Sequence, residues 1–196
     1  MTSVLIATRN GHKTSEIRAI LGKRFTVSDL TGRTDIPEVD ETGVTFLENA
    51  TLKAVSGSQY FDGLVFADDS GLEVDALGGE PGVRSARYSD PRANDLRNLQ
   101  LLLANLQGVA SRQARFRCAV VIAKSGTVLA SFEGFCEGTI IETPKGTDGF
   151  GYDPVFVPVG FTQTFAQLSS GAKNAISHRG KAVKKAIAWL QTEYGG

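Results

Sequence analysis

Two adjacent carboxylates follow a short apolar run in the first half of the sequence, within Phe66-Ala67-Asp68-Asp69-Ser70-Gly71. Carboxylates at the end of a strand are well placed to hold Mg²⁺, which prefers one or two protein carboxylates together with water and phosphate oxygens. One of them can also act as a general base toward a water that attacks phosphorus. A solvated Asp-Ser-Gly turn explains the same residues about equally well. Folding gains nothing from two charges beside a buried strand, so both remain candidates for a metal site.

A third carboxylate and a lysine precede this pair. Glu41 lies in an acidic loop and is a further candidate oxygen ligand. Asn49 and Lys53 are four residues apart on a predicted helix and therefore share a face. If that face borders the carboxylates, Lys53 can bind phosphate; a solvated helix face is the commoner explanation.

The segment Thr8-Arg9-Asn10-Gly11-His12-Lys13 lies where a predicted strand passes into a helix. Free backbone N–H groups and the helix dipole favour an anion at such a point, and Lys13 adds a positive charge. The segment is thus a candidate triphosphate cradle, although its spacing is not that of a Walker A loop. Taken alone, an ordinary strand-to-helix turn with a surface lysine is the more frequent explanation.

The glycine-rich segment between Gly146 and Pro154 carries two aromatic residues and an acid. Phe150 or Tyr152 offers a face on which a base can stack, and Asp153 can accept hydrogen bonds from a base or ribose. This pattern is typical of a nucleobase clamp. A loop whose aromatic residues fill the core is at least as common.

Ser177-His178-Arg179-Gly180 opens the last predicted helix with cationic groups where the helix dipole disfavours them. The arrangement makes more sense if His178 and Arg179 serve a ligand, with Lys173 just upstream. Their hydrogen-bond donors suit a keto oxygen on a purine, whereas the amino group of adenine would leave them unpaired. The alternative is an exposed helix start with incidental charge.

Apolar spacing predicts the elements that position these residues. Helices are expected from the segment after residue 10 to Gly22, from the Thr45/Glu48 capping box to about Phe61, over 94–106 and from Ser177 to about Tyr194. Strands are expected over 4–7, 25–29, 64–68, 72–75, 114–123, 128–137 and 139–141. We therefore expect an α/β fold with a mixed sheet, divided into two lobes with a cleft, as a single domain over residues 1–196.

Composition excludes several classes of protein. The 196 residues are 41% hydrophobic and carry 21 basic and 21 acidic side chains, which argues against disorder and does not favour nucleic-acid polymers as partners. The apolar runs are far too short to cross a membrane, and the N-terminus does not resemble a secretion signal, so we expect a cytoplasmic protein. Hairpin register places Cys118 and Cys136 on opposite faces, which predicts two free, buried thiols and no disulfide.

Six motifs occur in a fixed order along the chain: TRNGHK (8–13), ETGVTFLENA (41–50), ADDSGL (67–72), PGVRSARY (81–88), GFGYDP (149–154) and SHRG (177–180). Together they closely resemble the inosine triphosphate pyrophosphatase family, whose members remove noncanonical purine nucleotides. The resemblance implies an elongated mixed sheet with a central active-site cleft between two lobes, usually in a homodimer. It also implies Mg²⁺-dependent hydrolysis of ITP, dITP and XTP to the monophosphate and pyrophosphate.

By position, the resemblance also implies roles for individual residues. It assigns triphosphate binding to Thr8, Arg9, Asn10, Gly11, His12 and Lys13, with a further phosphate contact from Lys53. Asp69 would be the general base and a Mg²⁺ ligand, and Glu41 and Asp68 further candidates for the metal site. Substrate contacts are expected from Ser70, and a base pocket from Phe150, Gly151, Tyr152, Asp153, Lys173, His178 and Arg179.

Two departures from the family pattern affect details. Arg9 stands where glycine is common, so the first loop is either less compact or gains a phosphate contact. Small residues, Gly171 and Ala172, precede Lys173 where acidic ones are common. Two other functions stay open: a nucleotide sensor that binds without hydrolysis, and a related pyrophosphatase acting on modified pyrimidine or ordinary deoxynucleotides.

Overall fold

Strands and helices alternate along the chain in the computed structural model, which describes residues 2–22 and 25–194. The strands are β1 (Thr2–Ile6), β2 (Phe25–Asp29), β3 (Leu64–Val74), β4 (Gln113–Lys124), β5 (Thr127–Ile140) and β6 (Phe156–Pro158). The helices are α1 (Gly11–Leu21), α2 (Phe46–Gly57), α3 (Asp95–Asn105), α4 (Ser170–Ile176) and α5 (His178–Tyr194). This element order confirms the predicted α/β class. Two of these elements, β6 and α4, have no counterpart among the sequence predictions.

The strands of the described residues form one sheet in the order β2-β1-β3-β4-β5-β6. β1 pairs in parallel with both β2 and β3, so that Leu5 aligns with Ser28 and with Val65. Parallel neighbours require crossover connections, and α1 and α2 supply them. β5 and β6 are antiparallel, so the sheet is mixed, as predicted.

The predicted hairpin is present and longer than expected. Ser125 and Gly126 connect β4 to β5 with φ values of 50° and 79°, the left-handed pair that matches the twist of a two-residue hairpin turn. Cys118 on β4 and Cys136 on β5 are buried and form no disulfide, which confirms the prediction for both thiols.

The carboxylate pair lies inside a strand and not at the end of one. We predicted one strand ending at Asp68 and a second beginning at Leu72, but β3 runs unbroken from Leu64 to Val74. The expected strand end, and the alternative of a solvated turn, are therefore both wrong. Lysine ammonium groups reach 3.3 Å from Asp68 and 3.2 Å from Asp69, so both carboxylates are compensated without a turn into solvent.

Side-chain caps fix the ends of the first two helices. Asn10 caps α1, and Gly22, with φ of 68°, ends it, as its position predicts. Thr45 and Glu48 form the predicted capping box at the start of α2. The predicted end near Phe61 is wrong: α2 ends at Gly57, and Ser58 caps it with a backbone N–H that donates to the Ala54 carbonyl at 3.0 Å.

The chain divides into two compact units, and each has its own hydrophobic core. Unit 1 comprises Met1–Asp69, Cys118–Gly134 and Arg179–Gly196, and unit 2 comprises Ser70–Arg117 and Phe135–His178. The unit 1 core includes Val183 and Leu190 on the predicted inner face of α5. The unit 2 core includes Leu99, Leu102 and Leu106. The expectations of a single domain and of a cleft stay predictions.

Among the described residues, none of the helices combines the length and the apolar character that a membrane crossing requires.

Candidate active site

Asp68 is a buried carboxylate held by two cations in unit 1. Its Oδ2 lies 3.3 Å from the Lys13 ammonium and accepts a hydrogen bond of 3.2 Å from Nε of Arg179, and the Asp68 side chain has no exposed surface. Burial alone would raise the pKa of the Asp68 carboxyl, but the charges of Lys13 and Arg179 hold that pKa well below its usual value. Asp68 is therefore ionised at neutral pH.

Glu16 is a member of this cluster that sequence reasoning missed. Its carboxylate pairs with Nη1 of Arg179, whose side chain is 2% exposed. The available signal was its place three residues after Lys13 on the same helix, which puts both on one face. Its partner lies 163 positions away along the chain, and no local pattern reveals such a contact.

Asp69 points to a second cluster in the same unit. The Lys53 ammonium lies 3.2 Å from Oδ1 of Asp69 and 2.7 Å from Oε1 of Glu41. The Asn49 amide donates to Oδ2 of Asp69 at 3.3 Å. The structure thus brings together the predicted residues Glu41, Lys53 and Asp69, and confirms that Asn49 and Lys53 share a face.

Burial and neighbouring charges shift the pKa values in this second cluster. Burial raises the pKa of the Asp69 carboxyl, opposed by Lys53 and Lys13 and reinforced by Glu41 and Asp68. Burial acts to lower the pKa of Lys53, but the carboxylates of Asp69 and Glu41 outweigh it, so the pKa is raised. Lys53 is thus charged, and Asp69 is a stronger proton acceptor than an exposed aspartate.

The segment from Thr8 to Lys13 leads into the N-terminus of α1, as predicted, but its backbone N–H groups are not all free. Asn10 Oδ1 accepts from the N–H groups of His12 and Lys13 at 3.0 and 3.3 Å. The expectation of free N–H groups is wrong for these two, because the cap residue already satisfies them. The Arg9 guanidinium donates to the carbonyl of Ile36 at 2.9 Å, and the effect of this arginine on the compactness of the loop stays a prediction.

In unit 2, Asp153 and Lys173 form a buried pair at the glycine-rich loop. The Lys173 ammonium lies 2.6 Å from Oδ2 of Asp153. The same oxygen accepts the Phe150 N–H at 2.9 Å, and the Lys173 nitrogen lies 5.1 Å from the centroid of the Phe150 ring. Gly149 leaves the room that the Asp153 carboxylate occupies, since a Cβ there would collide with it.

The two aromatic residues of this loop have different surroundings. Tyr152 is 4% exposed and donates its hydroxyl to the carbonyl of Ser85 at 2.9 Å, so it fills the core. Phe150 is half-buried and is therefore the more exposed of the two rings. Asp95, which sequence reasoning missed, accepts the Gly151 N–H at 2.8 Å.

The start of α5 supplies one residue to each unit. The buried imidazole of His178 stacks on Phe116, with ring centroids 4.7 Å apart and planes 10° apart, within unit 2. Arg179 belongs to unit 1, where its ion pairs are with Asp68 and Glu16. Both side chains at this helix start are therefore buried and have defined partners. The alternative interpretation, an exposed helix start with incidental charge, is wrong.

The predicted metal ligands have the chemistry that Mg²⁺ requires. Residues 2–22 and 25–194 contain no group of three or more His, Cys, Asp or Glu side chains preformed around a single point. Glu41 and Asp69 nevertheless place oxygen atoms within 3.2 Å of one ammonium nitrogen, a position that already favours a cation. An oxygen donor set with one or two carboxylates fits Mg²⁺.

The chain also resembles known proteins over nearly its whole length. A dITP/XTP pyrophosphatase from Bacillus licheniformis is 51% identical over 193 residues, covering 97% of this chain and 98% of that protein. The solved structure of the Staphylococcus aureus Ham1 protein has a TM-score of 0.87 at 37% identity, covering 97% of this chain and 99% of the other. That of a HAM1 protein from Coxiella burnetii has a TM-score of 0.88 at 34% identity, covering 98% and 100%.

A sequence model of the Ham1 family matches residues 4–189, from β1 to the last turns of α5. The matched range contains every residue of the two carboxylate clusters and of the glycine-rich loop. Relatives and family model agree over most of the chain. The chain belongs to the Ham1 family.

Proposed function

We propose that this chain hydrolyses noncanonical purine nucleoside triphosphates, namely ITP, dITP and XTP, to the monophosphate and pyrophosphate in a Mg²⁺-dependent reaction. The observation that carries the proposal is the contact of one lysine, Lys53, with two carboxylates, Asp69 and Glu41, in unit 1. A base and cations beside one another are what phosphoanhydride hydrolysis needs. The Bacillus licheniformis relative is a dITP/XTP pyrophosphatase by name, which supports the substrate class.

Glu41 and Asp69 would hold the magnesium ion, with Asp68 as a third carboxylate close by. Bound there, Mg²⁺ would supply charge stabilisation on phosphate oxygens. Asp68 is already committed to Lys13 and Arg179, so it contributes less directly than the other two.

Asp69 would take the proton of the water that attacks the α-phosphorus, since its pKa is raised and its oxygen atoms are fixed by Lys53 and Asn49. Lys13 and Lys53 would offset the charge of the triphosphate. The N-terminus of α1 would add its dipole to the same effect, with Thr8, Asn10 and His12 in its loop. Pyrophosphate is then a leaving group whose charge is already compensated.

The residues of unit 2 would bind the base. Phe150 would offer a ring for stacking, and Lys173 and His178 would donate to a keto oxygen. Asp153 fixes both Phe150 and Lys173 by hydrogen bonds. Adenine would be rejected, because its amino group is a donor and leaves buried donors without partners.

The test is pyrophosphate release from dITP, ITP, XTP, GTP and ATP, each with Mg²⁺ and with EDTA, for the wild type and for Asp69→Asn. We expect release confined largely to dITP, ITP and XTP, lost with EDTA and in the variant. Tight nucleotide binding without release would show a sensor in place of an enzyme. Preference for a pyrimidine or an ordinary deoxynucleotide would show a related pyrophosphatase.

We further propose a homodimer, which the family resemblance implies, and a location in the cytoplasm, which the sequence pattern predicts. Light scattering on the purified protein at several concentrations would measure its mass in solution. A monomer at all concentrations would contradict the homodimer. Fractionation of cells would test the cytoplasmic location.

A further inference from the structure

We propose that Asn49 is a positioning residue, which orients the Asp69 carboxylate and fixes the loop that carries Glu41 through the two ends of one buried amide. This inference rests on the proposed function, because it assigns Asn49 to the same reaction. Neither the sequence motifs nor the resemblance gives Asn49 a role of its own.

Both ends of the Asn49 amide are used. Nδ2 donates to Oδ2 of Asp69 at 3.3 Å, and Oδ1 accepts the backbone N–H of Gly43 at 2.8 Å. The residue is 2% exposed, so water does not replace either bond at low cost. One side chain therefore connects the candidate base on β3 to the loop before α2.

Gly43 allows the close approach that this connection needs. A Cβ at position 43 would lie 2.7 Å from Oδ1 of Asn49 and 2.6 Å from Cβ of Glu48. The φ angle at Gly43 is not in the left-handed region, so space and not backbone conformation requires glycine here. The loop backbone is thus held directly against the amide.

The same loop is fixed on its other side by the capping box of α2. Glu48 Oε2 accepts the N–H groups of Val44 and Thr45 at 2.7 and 3.2 Å. Glu41, two residues before Gly43, then reaches the Lys53 ammonium. Asp69 is therefore linked to the loop that carries Glu41 in two ways. Asn49 makes one link through a neutral amide, and Lys53 makes the other through its charged ammonium group.

The neutral link has a separate effect from the charged one. Lys53 both positions the carboxylates of Glu41 and Asp69 and offsets their negative charge. The Asn49 amide orients the Asp69 carboxylate without offsetting its charge. Lys53 donates to Oδ1 and Asn49 to Oδ2, so both oxygen atoms are restrained and the plane of the carboxylate is set. Hydrogen-bond partners of this kind control both the basicity and the metal affinity of the group that they hold.

A purely structural role is the alternative, and the chain contains a matched example of it. Asn98 on α3 is 1% exposed and also spans a loop, with bonds to Ser89 and to the carbonyl of Ala86. Its hydrogen-bond partners are the backbone N–H and hydroxyl of Ser89 and the carbonyl of Ala86, and none of them is a carboxylate. Asn98→Leu is therefore the control for the loss of a buried asparagine as such.

The experiment compares Asn49→Leu, Asn49→Asp and Asn98→Leu with the wild type. Asn49→Leu removes both bonds at similar volume, and Asn49→Asp keeps an acceptor for Gly43 but removes the donor to Asp69. We expect both Asn49 variants to lose about 10–100-fold in kcat for dITP, with a much smaller change in KM. Asn98→Leu should lose stability in urea unfolding but keep its kcat.

Calorimetric titration with Mg²⁺ in the absence of nucleotide gives a readout besides turnover. Asn49→Leu should bind Mg²⁺ about tenfold more weakly, and Asn98→Leu as the wild type does. A wild-type kcat in Asn49→Asp overturns the inference, and so does an equal loss of kcat in Asn98→Leu. Absence of dITP hydrolysis in the wild type is a different failure, that of the proposed function, and the Mg²⁺ titrations then decide the positioning role alone.

Discussion

The ammonium of Lys173 lies 2.6 Å from Oδ2 of Asp153, and only 7% and 4% of the two side chains are exposed. The pair connects the short helix α4 to the loop that carries Phe150, whose backbone N–H donates to the same oxygen. An ion pair this deeply buried is costly to break on one side, because the remaining charge keeps its desolvation cost.

Lys173→Met should therefore lower the free energy of unfolding by about 3–5 kcal/mol, because it leaves the Asp153 carboxylate buried without its cation. Urea unfolding followed by circular dichroism measures the loss. Lys124→Met, at an exposed position at the end of β4, is the control and should change stability little. Equal effects of the two variants would contradict the buried-pair account.

Acid should destabilise the protein partly through Asp68. The pKa of this carboxyl is lower in the folded state than in the unfolded state, so its ionisation stabilises the fold above the unfolded value of about 3.9 and this contribution is lost as pH falls toward the folded-state value. Asp68→Asn should be less stable at neutral pH, and its difference from the wild type should shrink at lower pH. Unfolding measured from neutral pH to pH 3 tests this. A constant difference would refute it.

Asp95 should affect nucleotide binding through the glycine-rich loop. Because its carboxylate accepts the Gly151 N–H, Asp95→Ala should release the loop and raise KM for dITP by roughly fivefold, which corresponds to one hydrogen bond of about 1 kcal/mol. The kcat should change little. Asp95→Asn retains an acceptor oxygen and should restore most of the binding. The idea fails if Asp95→Asn is no better than Asp95→Ala.

Removal of Mg²⁺ should stop turnover without loosening the fold. Without metal, the carboxylates of Glu41, Asp68 and Asp69 already face the cations of Lys13, Lys53 and Arg179. EDTA should therefore leave the Tm of the nucleotide-free protein nearly unchanged in differential scanning calorimetry. A large fall in Tm would mean that the metal also holds the structure.

Most of the fold follows from local signals in the sequence. The capping box at Thr45, the glycine after α1 and the leucine spacing on α3 each act within a few residues of one another, so each predicts its element. α4 and β6 were missed because they are only 7 and 3 residues long, too short for a periodic pattern.

Site chemistry was predictable only in part. The motif residues were identified, but the partners that set their electrostatics lie far away in sequence: Arg179 reaches Asp68 across 111 positions. Asp68 and Asp69 suggested a break in the strand because unpaired charges disfavour a buried strand. In the structure both carboxylates are paired with cations, namely Lys13, Lys53 and Arg179. The charges are therefore compensated, and β3 continues through the site.

The unbroken course of β3 has a consequence for how the site can vary in length. Side chains alternate between the two faces of a strand. Inserting or deleting one residue therefore moves every side chain beyond that point to the opposite face of the sheet. Asp68 and Asp69 are consecutive and contact different cations, Lys13 and Lys53. A substitution at either position removes only the contacts of that residue, whereas a single-residue insertion between them would exchange the partners of a whole strand segment.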